Sequence, residues 1–189
     1  MKLNYKGNYM PGTIIPRGYT GSGSGFIDKV FFVSDGIMLN GIKEITGVDG
    51  STLQNWVKRG WLGKTVNRRY SRNQLSRILI INILKGSLLF EEIDYLLHYL
   101  NGNIDDTDDD IISEYELYDL TCRIIFTFEE SNFDTVEELE SLVSTVTKEL
   151  PLGNEESRTR LKSTLRIIAV AYYESLISDN VRLMFAKIK

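Results

Sequence analysis

Apolar residues recur at helical intervals along most of the chain, and Gly, Asn, Asp and Pro punctuate the intervals. Leu39, Ile42, Ile45 and Val48 are spaced by three and predict a short amphipathic helix that stops near Gly47. Asp49-Gly50 predicts a turn. Ser51 and Gln54 have capping-box spacing, so a second helix is expected to start at Ser51 with Leu53, Trp56 and Val57 inward and to end at Gly60. The run from Trp61 to Tyr70 carries Thr, Val and Tyr and predicts a small hairpin, a wing. A second capping-box pair, Ser71 and Gln74, opens a longer helix with Leu75, Ile78, Leu79, Ile81 and Leu84, closed by Gly86.

Leu88, Leu89, Ile93, Leu96, Leu97 and Leu100 mark a further helix that Asn101-Gly102-Asn103 stops. Three more helices are expected at 113–130, 135–149 and 155–178. The pattern around Phe26, Ile27, Val30, Phe31 and Val33 fits a short helix or a strand. Residues 1–25 show neither period and include Gly21-Ser22-Gly23-Ser24-Gly25, which reads as a flexible linker. The expected fold is mainly α. A flexible segment (1–25) precedes a winged helix-turn-helix domain (26–102), and an acidic helical domain (103–189) follows.

The net charge of −4 over 189 residues argues at first against a nucleic-acid partner. Its distribution reverses that argument. Residues 37–86 carry nine basic side chains against Glu44 and Asp49, whereas residues 87–157 carry twenty acids against Arg123 and Lys148. Such asymmetry marks a nucleic-acid-facing half. One cysteine, Cys122, excludes a disulfide framework and favours a reducing compartment, so the cytoplasm is expected. Apolar runs are too short to span a bilayer, and no signal-peptide pattern follows Lys2 and Lys6. No membrane partner is expected.

Two short helices joined by a tight turn make a helix-turn-helix, whose second helix enters the major groove of DNA. Thr52, Gln54, Asn55, Lys58 and Arg59 lie on the outward face of that helix. Gln and Asn bond adenine in two places, and Lys and Arg bond guanine or phosphate. Lys64, Arg68, Arg69 and Tyr70 cluster at the wing, where backbone contacts are expected. Any soluble helix also shows polar residues outward; the wing cluster is what favours double-stranded DNA.

The landmarks Ile42-Lys43-Glu44-Ile45-Thr46-Gly47-Val48, Ser51-Thr52-Leu53-Gln54-Asn55-Trp56, Gly60-Trp61-Leu62, Arg69-Tyr70-Ser71, Leu75 and Glu91-Glu92-Ile93 resemble the winged-helix pattern of MerR-type transcriptional regulators. The resemblance covers about residues 37–100. More narrowly, Leu53 to Gly60, Arg69 to Leu75 and the Asp-rich stretch after Asn101-Gly102 resemble the bacterial family called domain of unknown function 1836. The MerR resemblance implies DNA binding, with Thr52, Gln54, Asn55 and Lys58 at recognition positions and Arg68, Arg69 and Tyr70 on the wing. That family has Arg-Tyr-Tyr where this chain has Gln54-Asn55-Trp56. Its long coiled coil and sensing pocket have no counterpart here, so sensing is not implied.

Other candidates weigh less. His98 and Cys122 have no partners in sequence and read as structural or surface residues; no nucleophile elbow or phosphate-binding loop is present, so catalysis is not expected. The run from Asp105 to Asp110 has Asp110 where a calcium loop needs glycine and reads as a solvated loop, with no metal or cofactor expected. The stripe Leu161, Leu165, Ile168, Tyr172 and Leu176 either packs into its own domain or forms a homodimer interface; both stay open. The function expected is that of a regulator reading double-stranded DNA. The alternative is a protein-interaction module holding a partner through the acidic helical surface.

Overall fold

The computed structural model describes residues 6–19, 21–104, 106, 108, 110–131 and 133–188. Eight α-helices and one short antiparallel strand pair are seen among them: α1 Gly23–Val30, β1 Ile37–Met38, α2 Leu39–Thr46, α3 Gly50–Lys58, β2 Arg69–Tyr70, α4 Arg72–Leu84, α5 Phe90–Asn101, α6 Glu114–Glu130, α7 Val136–Lys148 and α8 Glu155–Ala186. The protein is mainly helical, as the periodicity predicts. Helix α4 is buried almost all round, through Leu75, Ile78 to Ile81, Ile83 and Leu84, because it packs against α6 and α8 together. Helix α1 lies on α6, α7 packs on α6 and α8, and α5 packs on α8.

The capping pairs set most helix starts. Ser71 and Gln74 form the expected capping box of α4, and Ser113 with Glu116 and Thr135 with Glu138 do the same for α6 and α7. At α3 the expectation is corrected. Asp49, not Ser51, caps the helix, accepting from the Ser51 amide at 3.0 Å, and no Ser51–Gln54 box forms. A carboxylate two residues earlier binds the free amides more strongly than a hydroxyl does.

The first 25 residues are also corrected where they are described. Met10 is buried, the Tyr118 hydroxyl donates to the Pro11 carbonyl at 2.9 Å, and the Asn82 amide donates to the Gly12 carbonyl at 2.8 Å. Arg17 pairs with the buried carboxylate of Glu129 and donates to the Tyr172 hydroxyl at 3.0 Å. The expected linker opens α1 instead, with Ser22 as its cap. Its glycines permit contact: a Cβ on Gly23 would stand 2.9 Å from the Asp119 Cα and 3.1 Å from the Cys122 sulfur. Tertiary packing overrides a flexible composition here.

The expected boundary at residue 102 falls inside a continuous core. One apolar cluster runs from Met10 and Phe26 through α4 to Leu161 and Tyr172, so helices on either side of that boundary share their buried faces. The stripe Leu161, Leu165, Ile168 and Tyr172 is buried in this core, with Leu176 at its edge. No helix among the described residues is long and apolar enough to cross a membrane.

Candidate nucleic-acid interface

Helix α2 ends at Gly47, which adopts φ +68°, the left-handed conformation that lets the chain turn sharply without a Cβ clash. The Thr46 hydroxyl donates to the Ile42 carbonyl at 2.8 Å and accepts from the Val48 amide at 3.1 Å, and Val48 is buried. Three residues separate α2 from α3. Leu53 and Trp56 anchor the inner face of α3, and the Trp56 ring meets Phe90 of α5 at 5.6 Å. Trp61, just after the helix, stacks on the same Phe90 at 4.8 Å with 9° between the planes.

The outer face of α3 carries Gln54, Asn55 and Lys58 exposed and Thr52 half-buried, and the C-cap residue Arg59 is exposed beside them. Gln54, Asn55 and Lys58 make no side-chain hydrogen bond or ion pair among the described residues. The Arg59 guanidinium lies over the Trp61 ring, 5.1 Å from its centre. Asp49 at the other end of α3 is held below its usual value, first by the Ser51 hydroxyl and then by backbone amides.

The wing is smaller than a full hairpin. Val66 bridges to Arg69, and the Arg69 amide donates to the Val66 carbonyl at 2.9 Å across Asn67 and Arg68. Both central residues have positive φ, 52° and 59°. That is the backbone of a type I′ turn, whose usual second residue is glycine rather than arginine. β2 then leaves the tip to pair with β1, Ile37 opposite Tyr70 and Met38 opposite Arg69, so the partner strand precedes α2. Gln74 anchors the base: its side-chain amide donates to the carbonyls of Gly63 at 2.6 Å and Lys64 at 3.2 Å while its oxygen accepts from the Ser71 amide. Arg77 supports the same segment by donating to the Trp61 carbonyl at 2.7 Å.

Two of the expected wing contacts are placed differently. The Tyr70 side chain is 5% exposed and packs into the core, where burial raises its hydroxyl pKa. Period-two alternation from Arg69 turns it inward, away from any partner. Arg69 is exposed but folds back, donating to the Gly36 carbonyl at 2.9 Å and the Ser34 hydroxyl at 3.1 Å. Lys64 and Arg68 stay exposed without side-chain partners among the described residues. A cleft of about 470 Å³ lies between the wing and the loop 34–36, lined by Lys64, Asn67, Arg69, Ser34 and Asp35. Thr52, Gln54, Asn55 and Lys58 share α3 with Arg59 as its C-cap, and Lys64, Arg69 and Tyr70 share this cleft, which Arg68 does not line; among the described residues no hydrogen bond or ion pair joins the two sets.

Eleven arginines occur in the sequence. Eight of them, Arg17, Arg72, Arg77, Arg123, Arg158, Arg160, Arg166 and Arg182, pair with a carboxylate. The other three, Arg59, Arg68 and Arg69, have no carboxylate partner among the described residues, and all three belong to α3 and the wing. Sequence reasoning found these residues but missed what holds them: β1, the Asp49 cap and the double role of Gln74. An Asp two residues before Ser51 was the available signal for the cap. Two residues of β1 are too short to show alternation.

His98 is exposed on α5, and Cys122 is fully buried with its thiol pKa raised by burial. No group of three or more His, Cys, Asp or Glu suited to a metal occurs among the described residues. Asp105, Thr107 and Asp109 of the acidic run lie outside those residues.

This architecture is a mainly helical protein in which a short helix pair and a two-strand ladder are built onto a helical core. The chain belongs to the DUF1836 family, a domain of unknown function, whose model matches residues 26–120, from α1 into α6. It is 30% identical over 93 residues to a protein of Bacillus subtilis (strain 168) named uncharacterized protein YkrK, a match covering 47% of this chain and 40% of that relative. No solved structure matches.

Proposed function

We propose that the chain is a DNA-binding transcriptional regulator of MerR-like winged helix-turn-helix type, with α3 as the recognition helix and the 66–69 turn as a minimal wing. The observation that carries this proposal is the distribution of arginine partners. A fold that pairs eight arginines with acids leaves Arg59, Arg68 and Arg69 without one among the described residues. Charge left over on adjacent elements suits a polyanion, whose phosphates supply the missing partners.

Arg68 adds weight. It occupies a left-handed position where glycine or asparagine is favoured, at a backbone cost of roughly 1 kcal/mol, and its exposed side chain makes no hydrogen bond or ion pair among the described residues. Gln54 and Asn55 supply the groups that read base edges, and Lys58, Arg59, Lys64 and Arg68 supply phosphate contacts. Tyr70 has a structural role in this proposal, and Arg69 holds the loop 34–36 against the wing.

Selection from random duplexes with the purified chain tests it. A recurrent sequence that then binds in the presence of competitor DNA, and loses affinity in the Gln54→Ala plus Asn55→Ala variant, is expected. Recovery of no recurrent sequence together with no duplex binding at low salt would overturn the proposal.

A further inference from the structure

A pocket of about 210 Å³ lies where the base of the wing meets the end of α5 and the start of α6. Gly63, Gln74 and Arg77 line its wing side, Gly102, Ile104 and Asp110 its α5 side, and Glu114 lines it where α6 begins. Asn101 fixes one wall. Its buried side chain donates to the Ile112 carbonyl at 2.6 Å and accepts from the Ile112 amide, which ties the two ends of the α5–α6 loop together. Gln74 and Arg77 fix the opposite wall through the carbonyls of Gly63, Lys64 and Trp61.

The pocket contains an ion pair that is satisfied on one side only. Arg77 Nη1 stands 2.5 Å from Glu114 Oε1, with 6% and 12% of the two side chains exposed. Arg77 Nε is taken by the Trp61 carbonyl. The second Glu114 oxygen, Oε2, is buried and has no hydrogen-bond partner among the described residues. A carboxylate accepts at both oxygens, and a buried one left dry costs free energy that a ligand's donor returns. Among the described residues that line the pocket, Arg77 carries positive charge and Glu114 and Asp110 carry negative charge, so the wall has one carboxylate in surplus.

We infer that this pocket binds a short primary ammonium compound, whose N–H groups donate to Glu114 Oε2 and whose charge balances the surplus carboxylate. An anion is repelled by the same surplus. A neutral alcohol donates as well but leaves the charge unbalanced, and a charge-assisted bond is about twice as strong as a neutral one. A metal ion is disfavoured, since no group of three or more His, Cys, Asp or Glu suited to one occurs among the described residues. The volume equals about seven waters at roughly 30 Å³ each, so the ligand has about seven non-hydrogen atoms at most. Ile104 and the backbone of Gly63 and Gly102 leave the remainder of the wall to its carbon chain. The same wall holds the carbonyls of Trp61, Gly63 and Lys64, so a bound amine stiffens the base of the wing. The inference does not depend on duplex binding.

NMR titration of the isotope-labelled full chain tests it, with n-butylammonium, 1-butanol and butyrate as probes. The amine is expected to bind saturably at about millimolar concentration, shifting the amide signals of Gln74, Gly102 and Glu114 most. It should bind about tenfold tighter than 1-butanol, and butyrate should leave those signals in place. Glu114→Gln keeps the shape and removes the charge, and is expected to abolish the preference for amine over alcohol while circular dichroism shows the helices retained. Asp110→Asn removes the surplus charge without touching the Arg77–Glu114 pair and is expected to lower amine affinity several-fold, so the test stands even where Glu114→Gln does not fold. No saturable amine binding, equal affinity for amine and alcohol, butyrate binding at these residues, shifts centred elsewhere, or unchanged amine affinity in Asp110→Asn or in folded Glu114→Gln would each overturn the inference.

Discussion

Arginine has two different tasks in two regions of this chain. In the helical core and the segments packed on it, arginine belongs to the fold: Arg17 reaches the buried Glu129, Arg77 meets Glu114, Arg123 meets Glu149 across α6 and α7, and Arg166 meets Glu140 across α7 and α8. In α3 and the wing it has no ion pair among the described residues: Arg59 and Arg68 are exposed, and Arg69 bonds the loop 34–36 instead of an acid. The lesson is that net charge of a segment says little until each charge has been traced to its partner. Residues 158–189 are basic by count, yet every arginine there is satisfied by an acid.

The largest expected effect breaks the paired side. Arg17→Ala leaves Glu129, almost wholly buried, without its cation, and a loss of about 3 kcal/mol in urea denaturation is expected. A loss below about 1 kcal/mol would show that the pairing is incidental to the fold. Burial opposes the Arg17 charge, but the Glu129 carboxylate outweighs it and raises the guanidinium pKa, so the pair stays charged on the arginine side at any ordinary pH.

A smaller loss is expected from Gln74→Ala, about 1–2 kcal/mol, because one side chain closes a capping box and holds two wing carbonyls. Amide exchange at Lys64 to Arg68 should rise with it; unchanged exchange there would separate the wing from α4. Arg68→Gly is expected to raise stability by about 0.5–1 kcal/mol, by relieving the left-handed arginine, while weakening duplex binding. A variant that is both less stable and equally tight would place Arg68 with the fold arginines.

The smallest effect concerns pH. Asp49 titrates below its ordinary 3.8 in the folded chain, so its cap is fully effective above that value and is lost as pH falls through the lower folded value. Thermal melts of Asp49→Asn between about pH 5 and pH 2 should show a shallower acid dependence than the wild type. Equal slopes would mean that the carboxylate contributes nothing beyond an amide.

Much of this fold was legible because helix starts and stops are local. Ser71, Gln74, Gly47 and Gly60 act within four residues of themselves, and the apolar faces of α4 to α8 follow a period that a single strand of text displays. The placements of Met10, Gly23 and Tyr70 were not legible. Each depends on a neighbour far along the chain, Gly23 on Cys122 for example, and composition alone made residues 1–25 look mobile. Helix α8 runs past the predicted end at 178 to Ala186, through residues whose apolar groups are exposed and lend the core no period to read. The candidate site was legible as a set of residue types. Which arginines lacked acids was not, since that requires every long-range ion pair.

The salt dependence of duplex binding tests the division of arginines most directly. Affinity measured across a series of salt concentrations should fall steeply for the wild type, and Arg59→Ala plus Arg68→Ala should reduce the log–log slope by about 2 with stability changed by less than about 0.5 kcal/mol. Arg123→Ala plus Arg160→Ala, which removes two paired arginines, should leave the slope unchanged. Equal reductions from the two double variants, or a wild type whose binding ignores salt, would contradict the account.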